Sequence, residues 1–431
     1  MLHGVVGLIA AVLMTGCAAP ASAAPGDGFV IAQDERFFIR RGAMLEPFVP
    51  WGFNYDRTVI DGRDVLLEDV LRERPAKIDA DFAAMHQLGG NCVRVFLGTA
   101  WLLQDARRVR PGALRELDIV LNAADRHGLR LIVVGLANIR PASAPAWLRD
   151  ADDTTMAIAE SVFWRTVARH CRDRACVMAY DLQNEPVVSS RPNEDWTAGC
   201  FNMSHGQKFC YVHRHFRQID VLWTRHIQAK YGTALKLRLH WPDFPREGES
   251  WESIATPRDA KDPRYGEFIA LHGMLLREWT ARLLGVIRQE DPHHLVTVGA
   301  LDPRVMAEIV DFHCLHLYPT KLPPERNTRA EQRRIWREKV ERLPRGKPIV
   351  IEEFFPLGGS IPGVRFEDTL ADLIEATTPR AAGWVSFYWG SPQELATTNA
   401  MAAAVYEHWL KIWTSGRSTT TSQPAASAPS R

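Results

Sequence analysis

The sequence has no excess of charge of either sign. Across its 431 residues, 52 Lys and Arg face 51 Asp and Glu, a formal net charge of +1. No long-range field therefore draws nucleic acid or an anionic membrane to it, and a neutral partner is the default. The composition also excludes bulk disorder and collagen-like repeats, because 46% hydrophobic residues are ample for a large core. The apolar run from Val5 to Met14 is too short to span a bilayer. No Cys or His spacing matches a zinc site, so no metal is expected.

That short run is followed by Ala-rich sequence, as in an export signal, and residues 1–27 are read as a leader outside the fold. Leu13-Met14-Thr15-Gly16-Cys17 resembles a bacterial lipoprotein box with Cys17 lipidated, while Ala21-Ser22-Ala23 resembles an ordinary cleavage site. The lipoprotein reading is favoured, although only His3, and no Lys or Arg, precedes the run. The expected location is the bacterial periplasm, cell envelope or exterior, with membrane contact only through Cys17. At the other end, residues 415–431 are rich in Ser, Thr, Ala and Pro and are expected to be a flexible tail. Export makes disulfides possible among the six remaining cysteines. Cys200 with Cys210 and Cys171 with Cys176 are the expected pairs, and Cys92 and Cys314, inside apolar runs, are expected to be buried thiols.

Between these ends, residues 28–414 alternate strand and helix patterns. Phe29 to Leu45 reads as a small hairpin with Gly42 in its turn. Phe48 to Asn54 begins the repeat. Ile78, Phe82, Met85 and Leu88 recur at helical spacing before the strand Asn91 to Leu97. Leu114, Leu117, Leu121 and Ala124 mark the next helix, stopped by His127-Gly128 before Leu131-Ile132-Val133-Val134. Met156 to His170 is a third helix, and Val177 to Tyr180 a fourth strand. A long interval at about 187–294 is read as an insertion, in which Trp196, Trp241 and Trp251 either pack together or present a stacking surface. Strands at Leu295 to Gly299, Asp311 to Leu317, Pro348 to Glu353 and Gly383 to Tyr388 complete eight. Eight strands with intervening helices predict a single (β/α)8 barrel, α/β in class, carrying a long insertion after strand 4.

In such a barrel the chemistry sits where strands end. Asp181-Leu182-Gln183-Asn184-Glu185-Pro186 places a carboxylate beside an amide at the end of the fourth strand, a pairing suited to proton transfer. Glu352-Glu353 closes the seventh. Because side chains alternate along a strand, only one of these two is expected to face the barrel mouth. His316 and Tyr318 end the sixth strand, Arg94 lies on the second and Trp389 just past the eighth. Singly, each has a plain packing or ion-pairing explanation. Together they place acids, a tyrosine and an indole around one rim.

From about Phe29 to Trp413 the sequence resembles the retaining glycoside hydrolases of family 5, in the large barrel clan A. Asn184-Glu185-Pro186 is similar to that family's acid/base motif and Glu352-Glu353-Phe354 to its nucleophile motif. The resemblance implies that Glu353 is the nucleophile and Glu185 the acid/base, with Asn184 on the sugar 2-hydroxyl. It further implies that Arg94 and Tyr318 orient Glu353 while His316 and Trp389 shape the subsite. The double acid, and Leu136-Ala137-Asn138 after the third strand, look most like the endo-β-mannanase branch, which adds Asn138 to the candidates. Phe355 stands where a glycine is usual, and Trp223 to Trp241 also resembles clan A β-galactosidases. The implied activity is hydrolysis of a β-linked, mannan-like oligo- or polysaccharide without a cofactor. Alternatives are an exo-β-galactosidase-like enzyme and a surface lipoprotein that binds glycans without cleaving them.

Overall fold

The computed structural model describes residues 26–137, 144–186, 219–257, 261–299, 303–354 and 361–398, together with Phe201–Asn202, Lys208–Phe209, Ala403 and Glu407. Eight parallel strands form its centre: β1 Trp51–Tyr55, β2 Cys92–Gly98, β3 Arg130–Ala137, β4 Val177–Asn184, β5 Leu295–Gly299, β6 His313–His316, β7 Ile349–Glu353 and β8 Gly383–Ser386. Every residue of β1, β2 and β4 to β8 is buried, as a sheet covered on both faces requires. Seven of the eight seams are paired ladders, joining strands in chain order from β1 to β5 and from β6 to β8, with β8 returning to β1. The remaining seam, between β5 and β6, is bridged at its lower end. Asp311 N donates to Val296 O at 2.9 Å, Val296 N to the Asp311 carboxylate at 2.6 Å, and the Thr297 hydroxyl to Phe312 O at 2.9 Å. The chain is therefore the (β/α)8 barrel that its rhythm predicts.

Helices α1 Ala76–Gln87, α2 Ala113–His127, α3 Asp153–Cys171, α4 Tyr265–Glu290, α5 Arg329–Glu341 and α6 Phe366–Thr377 surround it. After β5 the described residues hold the 3-10 turn Pro303–Met306 in place of a helix. The helix signals act locally: Ile78, Phe82 and Met85 bury one face of α1, and α2 stops at Gly128, whose φ of 64° suits glycine. Asp152 caps α3 by accepting from Thr155 N at 2.7 Å.

Two elements differ from expectation. The N-terminal hairpin is a three-stranded antiparallel sheet, Val30–Gln33, Arg36–Arg41 and Met44–Phe48, because a second turn at Asp34 and Glu35 precedes the one at Gly42. It covers the N-terminal end of the barrel, with Phe37 edge-on to Phe312 at 5.2 Å. The expected Cys171–Cys176 disulfide does not form. Both thiols are free and buried; Cys171 packs in the core at the end of α3, while Cys176 Sγ turns to Leu121 O at 3.7 Å. Burial instead of oxidation also describes Cys92 and Cys314, as expected. Cys17, Cys200 and Cys210 lie outside the described residues.

Between β4 and β5, α4 belongs to two cores. Its first half places Phe268, Leu271 and Leu275 against Trp223, Trp241 and Ile254, while Trp279, Leu283 and Ile287 in its second half join the barrel core. Trp223 and Trp241 stack at 6.1 Å within the insertion, so these two aromatics pack together instead of presenting a surface. Trp251 is packed against the same cluster, and Trp196 is outside the described residues.

Candidate active site

Strand β4 ends at Asn184, and the next residue, Glu185, has φ of 46°, in the left-handed region that a non-glycine residue enters at a cost of about 1 kcal/mol or more. That turn is held by the barrel: Glu185 N donates to Gly299 O at the end of β5, at 2.5 Å. It leaves the side chain about a quarter exposed and directed at β6, where His316 Nδ1 lies 2.7 Å from Glu185 Oε1.

Glu353, at the end of β7, is nearly buried and accepts two hydrogen bonds, from Arg94 Nη1 at 2.7 Å and from the Tyr318 hydroxyl at 2.8 Å. His316 Nδ1 is 3.5 Å from its Oε2. One oxygen from each glutamate and a ring nitrogen of His316 all lie within 4.8 Å of one another. A pair of carboxyls this close fits double displacement, for which about 5–5.5 Å is typical, and not single displacement across a water, which takes about 6.5–9.5 Å. His316 is pushed up to about 10: burial opposes its charge, but Glu353 and contacts with Glu185 and Glu352 outweigh burial. With the ring protonated, Nδ1 is a donor, so the trio reads as two carboxyls bridged by an imidazolium and not as a cation-binding set.

Arg94 occupies the barrel axis, fully buried. Its guanidinium donates to Asp181 (2.6 Å from Nη2), Asn184 Oδ1 (2.8 Å), Asn54 Oδ1 (2.9 Å) and Glu353. Burial would lower its pKa, yet Glu352, Asp181 and Glu353 together hold it well above the ordinary value. Room for this cluster depends on Gly299. A Cβ there would stand 2.6 Å from Arg94 Nη2 and 2.9 Å from carboxylate oxygens of both Asp181 and Glu352.

Of the residues singled out from sequence, Arg94, Asn184, Glu185, His316, Tyr318 and Glu353 thus converge. Asn138 lies outside the described residues. Trp389 is a correction: it is wholly buried, edge-on to Phe53 at 5.0 Å, and offers no face for a sugar. Its backbone N donates to Asn54 O at 2.8 Å, which turns the chain inward after β8. A second correction concerns the double acid. Strict alternation would send Glu352 away from Glu353, but both carboxylates reach Arg94, Glu352 Oε1 lying 3.1 Å from Nε. The pairing of β6 with β7 shifts between Leu315 and His316, so that His316 stands opposite Glu353 and Glu352 is skipped. This irregularity re-aims the strand end.

Sequence reasoning missed Asn54 and Asp181. Asn54 Nδ2 donates to Glu352 O at 2.8 Å and Ser386 O at 3.1 Å, tying β1 to β7 and β8. Burial and the charge of Glu352 push Asp181 up to about 7 against the pull of Arg94. A polar residue directly after an apolar run is the signal both share. A separate cleft of about 1150 Å³ lies at the opposite, N-terminal end of the barrel, lined by Glu35, Arg41, Arg130 and Arg380 among others. None of the converging residues lines it.

No protein-family model and no curated protein sequence matches this chain. Solved structures do resemble it. An exo-β-1,4-mannosidase from Opitutaceae bacterium strain TAV5 is similar over 88% of this chain and 61% of its own, with 16% identity and a TM-score of 0.54. A β-glucanase from Saccharophagus degradans is similar over 91% and 94%, with 13% identity and a TM-score of 0.53. A polyextremophilic β-galactosidase from the Antarctic haloarchaeon Halorubrum lacusprofundi is similar over 83% and 57%, with 15% identity and a TM-score of 0.53. This chain therefore spans less than two thirds of the mannosidase and of the galactosidase. At such identities the likeness is one of fold, the (β/α)8 barrel.

Proposed function

We propose that the chain is a retaining β-glycoside hydrolase in which Glu353 is the nucleophile and Glu185 the acid/base. The observation that carries this reading is the carboxyl pair at the C-terminal ends of β4 and β7, each held by its own donors and close enough for double displacement. Glu353 attacks the anomeric carbon as the glycosidic C–O bond breaks, and the Glu185 proton goes to the leaving oxygen. Water then attacks the same carbon, the bond to Glu353 breaks, and the water proton passes to Glu185. His316 donates to Oε1 of Glu185 and so orients the carboxyl that carries the mobile proton.

Burial raises the Glu353 pKa above its ordinary value, while His316, Arg94 and Tyr318 pull it down and the neighbouring Glu185 raises it again. When Glu185 holds its proton that last repulsion disappears, so the pair is arranged to share one proton, as the chemistry requires. Asn184, fixed by Arg94, is available to a sugar hydroxyl. The substrate we favour is a mannan-like β-glycan. The exo-mannosidase, glucanase and galactosidase among the similar folds keep other β-linked sugars within the same reading.

A panel of aryl β-glycosides and β-mannan, glucan, xylan and galactan tests it. Glu353→Ala is expected to abolish hydrolysis almost completely, with azide restoring part of it and giving a glycosyl azide of inverted configuration. Loss of that rescue, with rescue of Glu352→Ala in its place, would assign the nucleophile to the other acid.

A further inference from the structure

Glu352 is the acid for which double displacement has no use. Its side chain is fully buried, and neither oxygen has a well-formed hydrogen bond among the described residues. It nevertheless lies between the two cations of the site, with Oε1 3.1 Å from Arg94 Nε and Oε2 on the far side of His316, 3.7 Å from Nε2. His316 Nε2 likewise has no hydrogen-bond partner among the described residues. A gap of 3.7 Å is too short for a bridging water, so this donor and this acceptor face each other directly. The opposite edges of the same two cations touch the catalytic pair: His316 Nδ1 meets Glu185, and Arg94 Nη1 meets Glu353.

We propose that Glu352 is a positioning residue, a buried counter-charge behind His316 and Arg94 that keeps the imidazolium protonated and both cations turned toward Glu185 and Glu353. This rests on the glycosidase reading. The groups facing Glu352 are Cys92 and Arg94 from β2, Asp181 from β4, and Cys314 and His316 from β6. With four carboxyls (Asp181, Glu185, Glu352 and Glu353) around two cations, the cluster is neutral only when two of them hold protons. In the proposed cycle Glu185 is one holder, and Asp181, raised to about 7, takes a proton before Glu352 does, which favours a charged Glu352. Burial works against that charge, but Arg94 and His316 hold the Glu352 carboxyl below its ordinary value.

Removing one negative charge from this interior lowers the pKa of every group that faces it. Glu352→Gln keeps the volume and loses the charge, so both limbs of the kcat/KM profile are expected to move toward acid by about one pH unit. Glu352→Asp, which keeps the charge, is expected to restore the limbs toward wild type. A Glu352→Gln profile lowered in height with both limbs unmoved would show a purely structural role and overturn the proposal. The wild-type protein supplies an independent reading through ¹⁵N-histidine NMR, with His316→Gln identifying the resonance. His316 is expected to remain an imidazolium at pH 8, and a ring that titrates near its ordinary value of about 6.5 overturns the proposal even if Glu352→Gln fails to fold. Wild-type protein inactive on every glycoside, with His316 still protonated at pH 8, would count against the glycosidase reading and not against the charge arrangement.

Discussion

Glu185 and Glu353 differ in what surrounds them. Glu353 accepts from a guanidinium and a phenol deep in the barrel, whereas Glu185 is partly exposed and meets one imidazolium edge. The first environment suits an anion that must be aimed, the second a group that exchanges protons with substrate and water. Glu185→Ala is therefore expected to slow cleavage of substrates with poor leaving groups by about 10²–10⁴-fold and to spare aryl glycosides with activated leaving groups. Steady-state rates on a leaving-group series check this; equal losses on both would remove the acid role. Asn54 and Gly299 act one layer further in. The asparagine ties three strands to Arg94, and the glycine leaves the space that three charged side chains fill.

At the scale of elements, the eight strands provide the platform, and the insertion stands beside it with a core of its own. That core contains a fully buried cation. Arg264 bonds Glu249 at 2.5 Å, lies 3.5 Å from Asp243 and stacks over Trp241 at 4.8 Å. Arg264→Ala leaves the buried Glu249 carboxylate with the backbone N–H groups of Arg246 and Ala255 but without its counter-charge, a loss of about 3–5 kcal/mol. The expected outcome is a lower melting temperature, with faster amide exchange in the helix Ile219–Tyr231 ahead of the barrel strands, read by hydrogen-exchange mass spectrometry. Uniform loosening of barrel and insertion together would mean that the two cores unfold as one.

At the scale of the whole molecule, the site and the far end of the barrel titrate in opposite senses. His313, at the start of β6, is buried with neither ring nitrogen bonded among the described residues. Burial, with Lys347 and Arg380 nearby, lowers it to about 4; burial alone does the same for His272 in α4. Between about pH 6.5 and 4 the unfolded chain binds protons at these positions and the folded chain does not, so stability falls as the pH drops through that window. His316 is raised to about 10, and its contribution is lost as the pH rises from about 6.5 through 10. His313→Leu is expected to recover about 1–3 kcal/mol of the acid loss, seen in urea unfolding at pH 5 against pH 7. An unchanged difference between the two pH values would place the acid sensitivity elsewhere.

Much of this protein was legible in the sequence because the signals are local. Apolar runs such as Leu131 to Val134, helical spacing such as Ile78, Phe82 and Met85, and a stop such as Gly128 depend on neighbours within a turn or two. They placed the eight strands and hence the ends at which Glu185, His316 and Glu353 stand. The tertiary structure decided what those ends do. It buried Trp389 against Phe53, turned Glu352 inward through a register shift with β6, and left Cys171 and Cys176 as separate thiols. It also gathered around Arg94 partners such as Glu353, 259 positions away in the chain. Burial, strand register and the sharing of one cation among several acids arise only when distant segments meet, which local pattern does not encode. The sequence alone therefore determined where the acids of this barrel would be, and only the closed barrel decided which of them stand partly open at its rim and which lie buried against Arg94.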